Sequence, residues 1–196
     1  MYGLVNQALE DMVVSRFGAE KWVEIKAGAQ VNIPAFISME PYPDEITYKL
    51  VGEACRVLGL GGEEILEEFG KYWILFTGRE GYGSFLESGG NDLPTFIQNL
   101  DDLHSRVGLL FPGLKPPSFK STDVCEDSLR LHYYSSRAGL APFVVGLLKG
   151  LGELFNTDTK VLLETSREQG ADHDQFFITF KARDLNHAST RLQSSG

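Results

Sequence analysis

His104 is the residue least explained by packing alone. Leu100, Val107 and Gly108 stand three and four positions away and Leu103 directly precedes it, so a helix would set its imidazole among apolar side chains. Two readings are open for such a histidine. The commoner is a core residue hydrogen-bonded to a carbonyl. The rival is a ligand for an iron centre in an apolar pocket, because an imidazole nitrogen is the usual proximal ligand of haem in binding proteins. A second group is Tyr133, Ser135 and Arg137 in HYYSSRAGL, spaced two apart so that a strand would project all three from one face. A phenol, a hydroxyl and a guanidinium converging in this way suit a pair of carboxylates, which arginine binds bidentately. The plain alternative is a strand whose polar residues face water.

The elements that must position these groups follow from apolar spacing. Leu4, Val5, Ala8, Leu9, Met12 and Val13 share one helical face, with Gly18 as the stop. Further helices are predicted over 19–27, 44–58, with Asp44 as cap and Gly59 as terminator, and 63–77. The stretch 33–43 holds three prolines and reads as a connection. One long helix is predicted from Asn91 or Asp92 to about Leu110, its apolar face carrying Leu93, Phe96, Ile97, Leu100, Leu103, Val107 and His104. The segment FPGLKPPSF cannot continue it. A strand over 128–136, a helix over 142–155 and a hairpin of 160–166 with 175–181 complete the pattern. The fold class is α+β: a helical N-terminal part, then strand, helix, strand, strand with a small antiparallel sheet. A single domain is expected over 1–183, with a polar tail from 184 to 196.

Composition narrows the function classes. Eighteen Lys plus Arg against 27 Asp plus Glu give a net charge of −9, which argues against nucleic acid and anionic membranes as partners. Cys55 and Cys125 are too few for a disulfide framework or a thiolate metal site, which fits a reducing compartment. The N-terminus lacks the marks of a signal peptide, and no apolar run is long enough to span a bilayer. The expectation is a cytoplasmic protein.

Taken in order, NLDDLH, FPGLKPPSF, YYSSR and GLAPFVVGLLKGL, together with MYGLVNQAL and FGKYWILFT, resemble the haem nitric oxide/oxygen binding (H-NOX) family. The likeness extends over about residues 1 to 182 and covers both bacterial members and the sensory domain of soluble guanylate cyclase. It implies that haem b lies between the helical and sheet parts, with His104 as the proximal iron ligand. By the same likeness Tyr133, Ser135 and Arg137 match the YxSxR motif that holds the haem propionates, and Pro117 presses on the porphyrin. Members that hold dioxygen carry a distal tyrosine three residues before a glycine of the last helix. Here the glycine is Gly146 and the position is Phe143, which has no hydrogen-bond donor. Leu4, Val5, Trp73 and Leu147 are expected to line the pocket, Trp73 with an indole donor of open role.

The resemblance thus implies a sensor without catalytic activity that binds nitric oxide and carbon monoxide and discriminates against dioxygen. By the same likeness it is expected to signal, by release of His104 and relaxation of the haem, to a separate partner such as a histidine kinase or a cyclic-dinucleotide enzyme, since no output domain fits within this length. Two rival classes are a haem enzyme acting on nitric oxide or dioxygen, and a haem-free binding domain. Other motifs are weaker. Asp172, His173 and Asp174 imitate a metal cluster but sit in a polar turn. The glycines of GLGLGGEE fail the dinucleotide fingerprint. Gly146, Gly150 and Gly152 suit close approach of the last helix to its neighbours.

Overall fold

In a computed structural model that describes residues 1–77, 83–111 and 113–183, the chain begins with four helices: α1 (Gly3–Phe17), α2 (Ala19–Gly28), α3 (Asp44–Leu58) and α4 (Gly62–Thr77). Short α5 (Gly83–Gly89) and α6 (Leu93–Gln98) lead to α7 (Leu100–Leu110). Strands β1 (Ser118–Thr122) and β2 (Ser128–Tyr134) follow, then α8 (Ala141–Leu154), β3 (Thr157–Thr165) and β4 (Asp174–Ala182). The sheet is antiparallel throughout, in the order β1-β2-β4-β3. This is the α+β arrangement that the apolar spacing predicts. The expected tail 184–196 lies outside the described residues.

Several boundaries fall where the local chemistry requires. Gly59 ends α3 in the left-handed conformation, and its N–H bonds the Cys55 carbonyl. Asp92 caps α6 by accepting from the Thr95 N–H, with Pro94 just inside the helix. The N-terminus is stitched to the 37–42 segment: Gly3 N–H donates to Glu40 O at 2.9 Å and Tyr42 N–H to Met1 O at 2.7 Å. Only glycine serves at position 3, because an added Cβ would stand 2.1 Å from the Ile37 carbonyl oxygen.

Four features depart from the sequence reading. The long helix expected from residue 91 to 110 is broken at Asn99. Its side-chain amide donates to Gly89 O at 2.9 Å, and its backbone adopts φ −92°, ψ 3°. Apolar periodicity runs straight through this break, but asparagine trades helical geometry for a local hydrogen bond. Helix α5 has no apolar stripe to reveal it. Strand β1 lies where the apolar pattern predicts no strand. It forms by pairing with β2, with Phe119 opposite Tyr133 and Phe119 as its one buried side chain. Asp44, expected as a cap, is instead the first residue of α3 and makes no cap bond.

Two apolar clusters form. One joins α1, α2, α3 and α4 around Leu9, Met12, Ile25 and Leu50. The other joins α6, α7, α8 and the sheet around Phe96, Leu131, Leu148 and Phe176. Helices α4 and α8 meet closely, backbone to backbone. A Cβ on Gly70 would lie 2.1 Å from Phe143 O, and one on Gly146 would lie 2.0 Å from Glu67 O. The expectation for Gly146 therefore holds, and this approach sets where Phe143 and Leu147 stand.

Candidate functional site

The cavity between these clusters has a volume of about 400 Å³ and mostly apolar walls. It is lined by all of the residues singled out from sequence: His104, Tyr133, Ser135, Arg137, Pro117, Leu4, Val5, Trp73, Phe143 and Leu147. A second cavity of about 210 Å³ shares Leu4, Trp73, His104 and Leu147 with it. Volumes of this order are those of cofactor sites.

Helix α7 carries His104 at the wall. Its Nδ1 lies 2.8 Å from the Leu100 carbonyl oxygen, one turn back. A carbonyl only accepts, so Nδ1 holds the proton and Nε2 keeps its lone pair. Nε2 makes no hydrogen bond to a described residue. Burial lowers the pKa of the imidazole, though the Leu100 carbonyl and Asp101 oppose this, which favours the neutral form. The carbonyl bond expected of a plain core histidine is therefore present, and it leaves the other nitrogen available. A hydrogen-bonded Nδ1–H behind a free Nε2 is the usual arrangement of a metal-binding histidine.

Strand β2 places Tyr133, which is only 4% exposed. The three donors do not project from one strand face, because β2 ends at Tyr134. Ser135 and Arg137 stand in the bend that follows. There Ser135 Oγ accepts from the Arg137 N–H at 3.1 Å, a turn that serine favours. Tyr133 is also hydrogen-bonded to Ser135, and burial raises its pKa, so it stays a phenol that can donate. Arg167 supports the bend from below, donating from Nη1 to the Ser135 and Arg137 carbonyl oxygens.

Arg137 is held in place by acceptors that sequence reasoning missed. Its Nε donates to Asp44 Oδ2 at 2.7 Å and its Nη1 to Lys115 O at 3.0 Å. Asp44 also takes the Met1 ammonium. One turn along α3, the Tyr48 hydroxyl donates to Ala138 O at 3.1 Å and lines the same cavity. Nothing local marks Asp44 or Tyr48, since Arg137 and Ala138 lie ninety-three and ninety positions from them. Phe69 was also missed. It stands four residues before Trp73, and its ring centroid is 5.1 Å from that of Phe143. Helical spacing from Trp73 was the signal that could have found it. Both Pro116 and Pro117 line the cavity, with Pro116 also nearest to Gly108 of α7.

These residues fit a haem. A lone-pair nitrogen stands on an apolar wall, and an arginine, a serine and a tyrosine stand together as donors for carboxylates. The Asp172–Asp174 turn is different in character: Asp174 is buried and accepts the Arg167 N–H, while His173 contacts Asp172 and His132. No group of three metal-ligating side chains occurs among the described residues.

Comparison with known proteins agrees. The family profile described as Haem-NO-binding matches residues 2–163. The chain is 28% identical over 196 residues to soluble guanylate cyclase gcy-31 of Caenorhabditis elegans, covering 99% of this chain and 28% of that protein. It is 34% identical over 126 residues to the guanylate cyclase soluble subunit beta-2 of Rattus norvegicus, covering 61% and 18%. The chain spans roughly a quarter of the length of the curated relatives it matches. In fold it is similar to an H-NOX protein from S. oneidensis in the Fe(II)NO ligation state, with TM-score 0.83 and 21% identity over 92% of this chain and 99% of that one. An Fe(II) unliganded H-NOX protein from K. algicida gives TM-score 0.81 and 21% identity over 94% and 98%.

Proposed function

The chain belongs to the Haem-NO-binding family, whose H-NOX domains are haem-based gas sensors, and on that premise we propose that it binds haem b on His104 and senses nitric oxide. Carbon monoxide is a further ligand, and dioxygen is discriminated against. The observation that supports this reading is the single cavity holding His104, the three carboxylate donors and Phe143.

When bound, haem would supply a ferrous iron able to take up a gas. His104 would hold the iron through Nε2, and the Leu100 carbonyl fixes the ring and raises its basicity. Tyr133, Ser135 and Arg137 hold the propionates. Pro117 bears on the porphyrin, and Leu4, Val5, Trp73 and Leu147 keep water from the ring. Dioxygen gathers partial negative charge when it binds, and a donor to it contributes about 1.5–3 kcal/mol, or one to two powers of ten. Phe143 offers no donor, whereas nitric oxide needs that help far less.

His104 is also the output. Helix α7 packs against α5, α6 and β1, so a His104 no longer held by the cofactor would leave α7 able to shift relative to them. We assign no catalytic step to the domain. The signal passes to a partner such as a histidine kinase or a cyclic-dinucleotide enzyme. A cytoplasmic setting suits the free thiols of Cys55 and Cys125. The test is the absorption spectrum of the reduced protein under inert gas, in air, and with nitric oxide or carbon monoxide. Distinct nitric oxide and carbon monoxide spectra with no dioxygen complex are expected; a stable dioxygen complex overturns the selectivity.

A further inference from the structure

Away from the cavity, on the outer face of the sheet, four side chains form a continuous line. Thr122 Oγ1 lies 2.9 Å from His132 Nε2, His132 Nδ1 lies 2.8 Å from His173 Nε2, and His173 Nδ1 lies 2.6 Å from Asp172 Oδ1. The Tyr134 ring stacks on His173 with centroids 4.3 Å apart. This line joins the end of β1 to β2, and β2 to the turn between β3 and β4.

Counting protons shows what the line tolerates. With one proton on each imidazole, the Thr122 hydroxyl donates to His132 Nε2, His132 Nδ1–H donates to His173 Nε2, and His173 Nδ1–H donates to Asp172. With one more proton the directions rearrange. His173 donates from both nitrogens, to Asp172 and to His132 Nδ1, and His132 Nε2–H donates to Thr122. With a second extra proton, two N–H groups face one another across 2.8 Å, and no rotation of Thr122 relieves them. The pair therefore holds no extra proton or one, but not two.

We propose that His132 and His173 form a proton-operated clasp that ties the β3–β4 turn to the sheet and opens when both imidazoles become charged. The surrounding charges decide which histidine yields last. Asp172 lies on His173 from the turn. His132 faces Lys120 across the β1 pairing and Gln175 across the β4 pairing. Asp123 and Glu164 near it are both engaged by Arg130, at 2.7 Å and 2.9 Å. Burial, then His173 and Lys120, with Arg130 adding to them, push the His132 pKa down against the opposing pull of Asp123 and Glu164. The second proton therefore goes to His132, below the ordinary histidine range.

The clasp bears on the cavity through the backbone. His173 precedes Asp174, which accepts the Arg167 N–H at 2.9 Å, and Arg167 in turn supports the Ser135 and Arg137 carbonyls. An open clasp loosens the segment from 166 to 175 and with it the floor of the bend that carries Arg137.

The test follows imidazole nitrogens by long-range proton–nitrogen NMR on the full chain, from about pH 8 to about pH 4, past the lower end of the span in which an ordinary histidine titrates. Amide protection factors, corrected for intrinsic exchange rates, are read in parallel. The two histidines are expected to titrate as a coupled pair in two steps, and protection over 166–175 should fall about tenfold or more at the second step. Protection in α1 and α3 serves as the control and stays unchanged. His173→Gln and His132→Gln each keep a neutral hydrogen-bonding side chain and should abolish the fall. Independent titration at ordinary values, or a fall that persists in either variant, overturns the clasp.

Discussion

Replacing Gly146 by alanine sets two effects of opposite sign against each other. In a helix interior, alanine is favoured over glycine by about 1 kcal/mol, so propensity alone makes Gly146→Ala stabilising. The close approach of α4 and α8 makes it destabilising. The new Cβ would lie 2.0 Å from Glu67 O and 2.8 Å from Glu67 C, where a separation of at least 3.0 Å is required. These are backbone atoms of a packed helix, so no side-chain rotation relieves the clash and the helices must part by about 1 Å. Overpacking costs about 1–3 kcal/mol, and a clash of backbone with backbone stands in the upper part of that range, so it exceeds the gain from propensity. Gly52 is the matched control, because it is exposed in α3 and its Cβ would meet nothing within 4 Å. Urea titration should show Gly52→Ala more stable than the parent by up to about 1 kcal/mol and Gly146→Ala less stable by about 1–2 kcal/mol net. The corresponding change in Tm is about 2–4 °C for each kcal/mol. Phe143 and Leu147 flank Gly146, so the same variant should also alter ligand access to the cavity. If Gly146→Ala is as stabilising as Gly52→Ala, the seam between α4 and α8 does not set the cavity wall, and the reasoning fails.

Asp44→Asn removes the carboxylate shared by Arg137 and the Met1 ammonium, at a cost of about 0.2–1 kcal/mol for each of these two ion pairs, which water still reaches. Burial alone would raise the Asp44 pKa, but its hydrogen bonds to Met1 and Arg137 outweigh that and hold it below the ordinary 3.8. A carboxyl depressed on folding stabilises above that ordinary value, and the contribution is lost as pH falls through the folded-state value. The stability gap between parent and variant should therefore be flat near neutrality and close in acid; a gap that persists well below pH 3.8 refutes the pairing. Phe143→Tyr places a phenol in the cavity and should strengthen dioxygen binding by about tenfold at most, since one hydrogen bond of imperfect orientation contributes about 1 kcal/mol. Gas titration of the reduced variant reads this directly, and unchanged or weaker dioxygen binding counts against Phe143 as the selecting position.

Much of the site was legible because its members lie in short local patterns. His104 stood out as a polar group on an apolar helical face, and Tyr133, Ser135 and Arg137 fell within five positions. The order of these motifs along the chain then brought Phe143 and Pro117 into register with a family. What escaped was what the tertiary fold assembles. Asp44 looked like a helix cap, yet its carboxylate reaches Arg137, ninety-three positions away, and the chain's own first residue. The geometry of the YxSxR segment was also misread, because alternation says nothing about where a strand stops. Backbone pairing ends at Tyr134, and the serine and arginine act from a turn. The break at Asn99 was hidden for a similar reason: a kinked pair of helices can bury the same apolar stripe as a straight one.

The central claim is that His104 anchors haem, and the most direct measurement is the ferrous absorption spectrum of His104→Gly recorded with and without added imidazole. The glycine variant should lose the ferrous spectrum of the parent and recover it when imidazole is added. Far-ultraviolet circular dichroism of the same samples confirms that the fold persists. A His104→Gly protein whose spectrum matches the parent without imidazole would contradict the account.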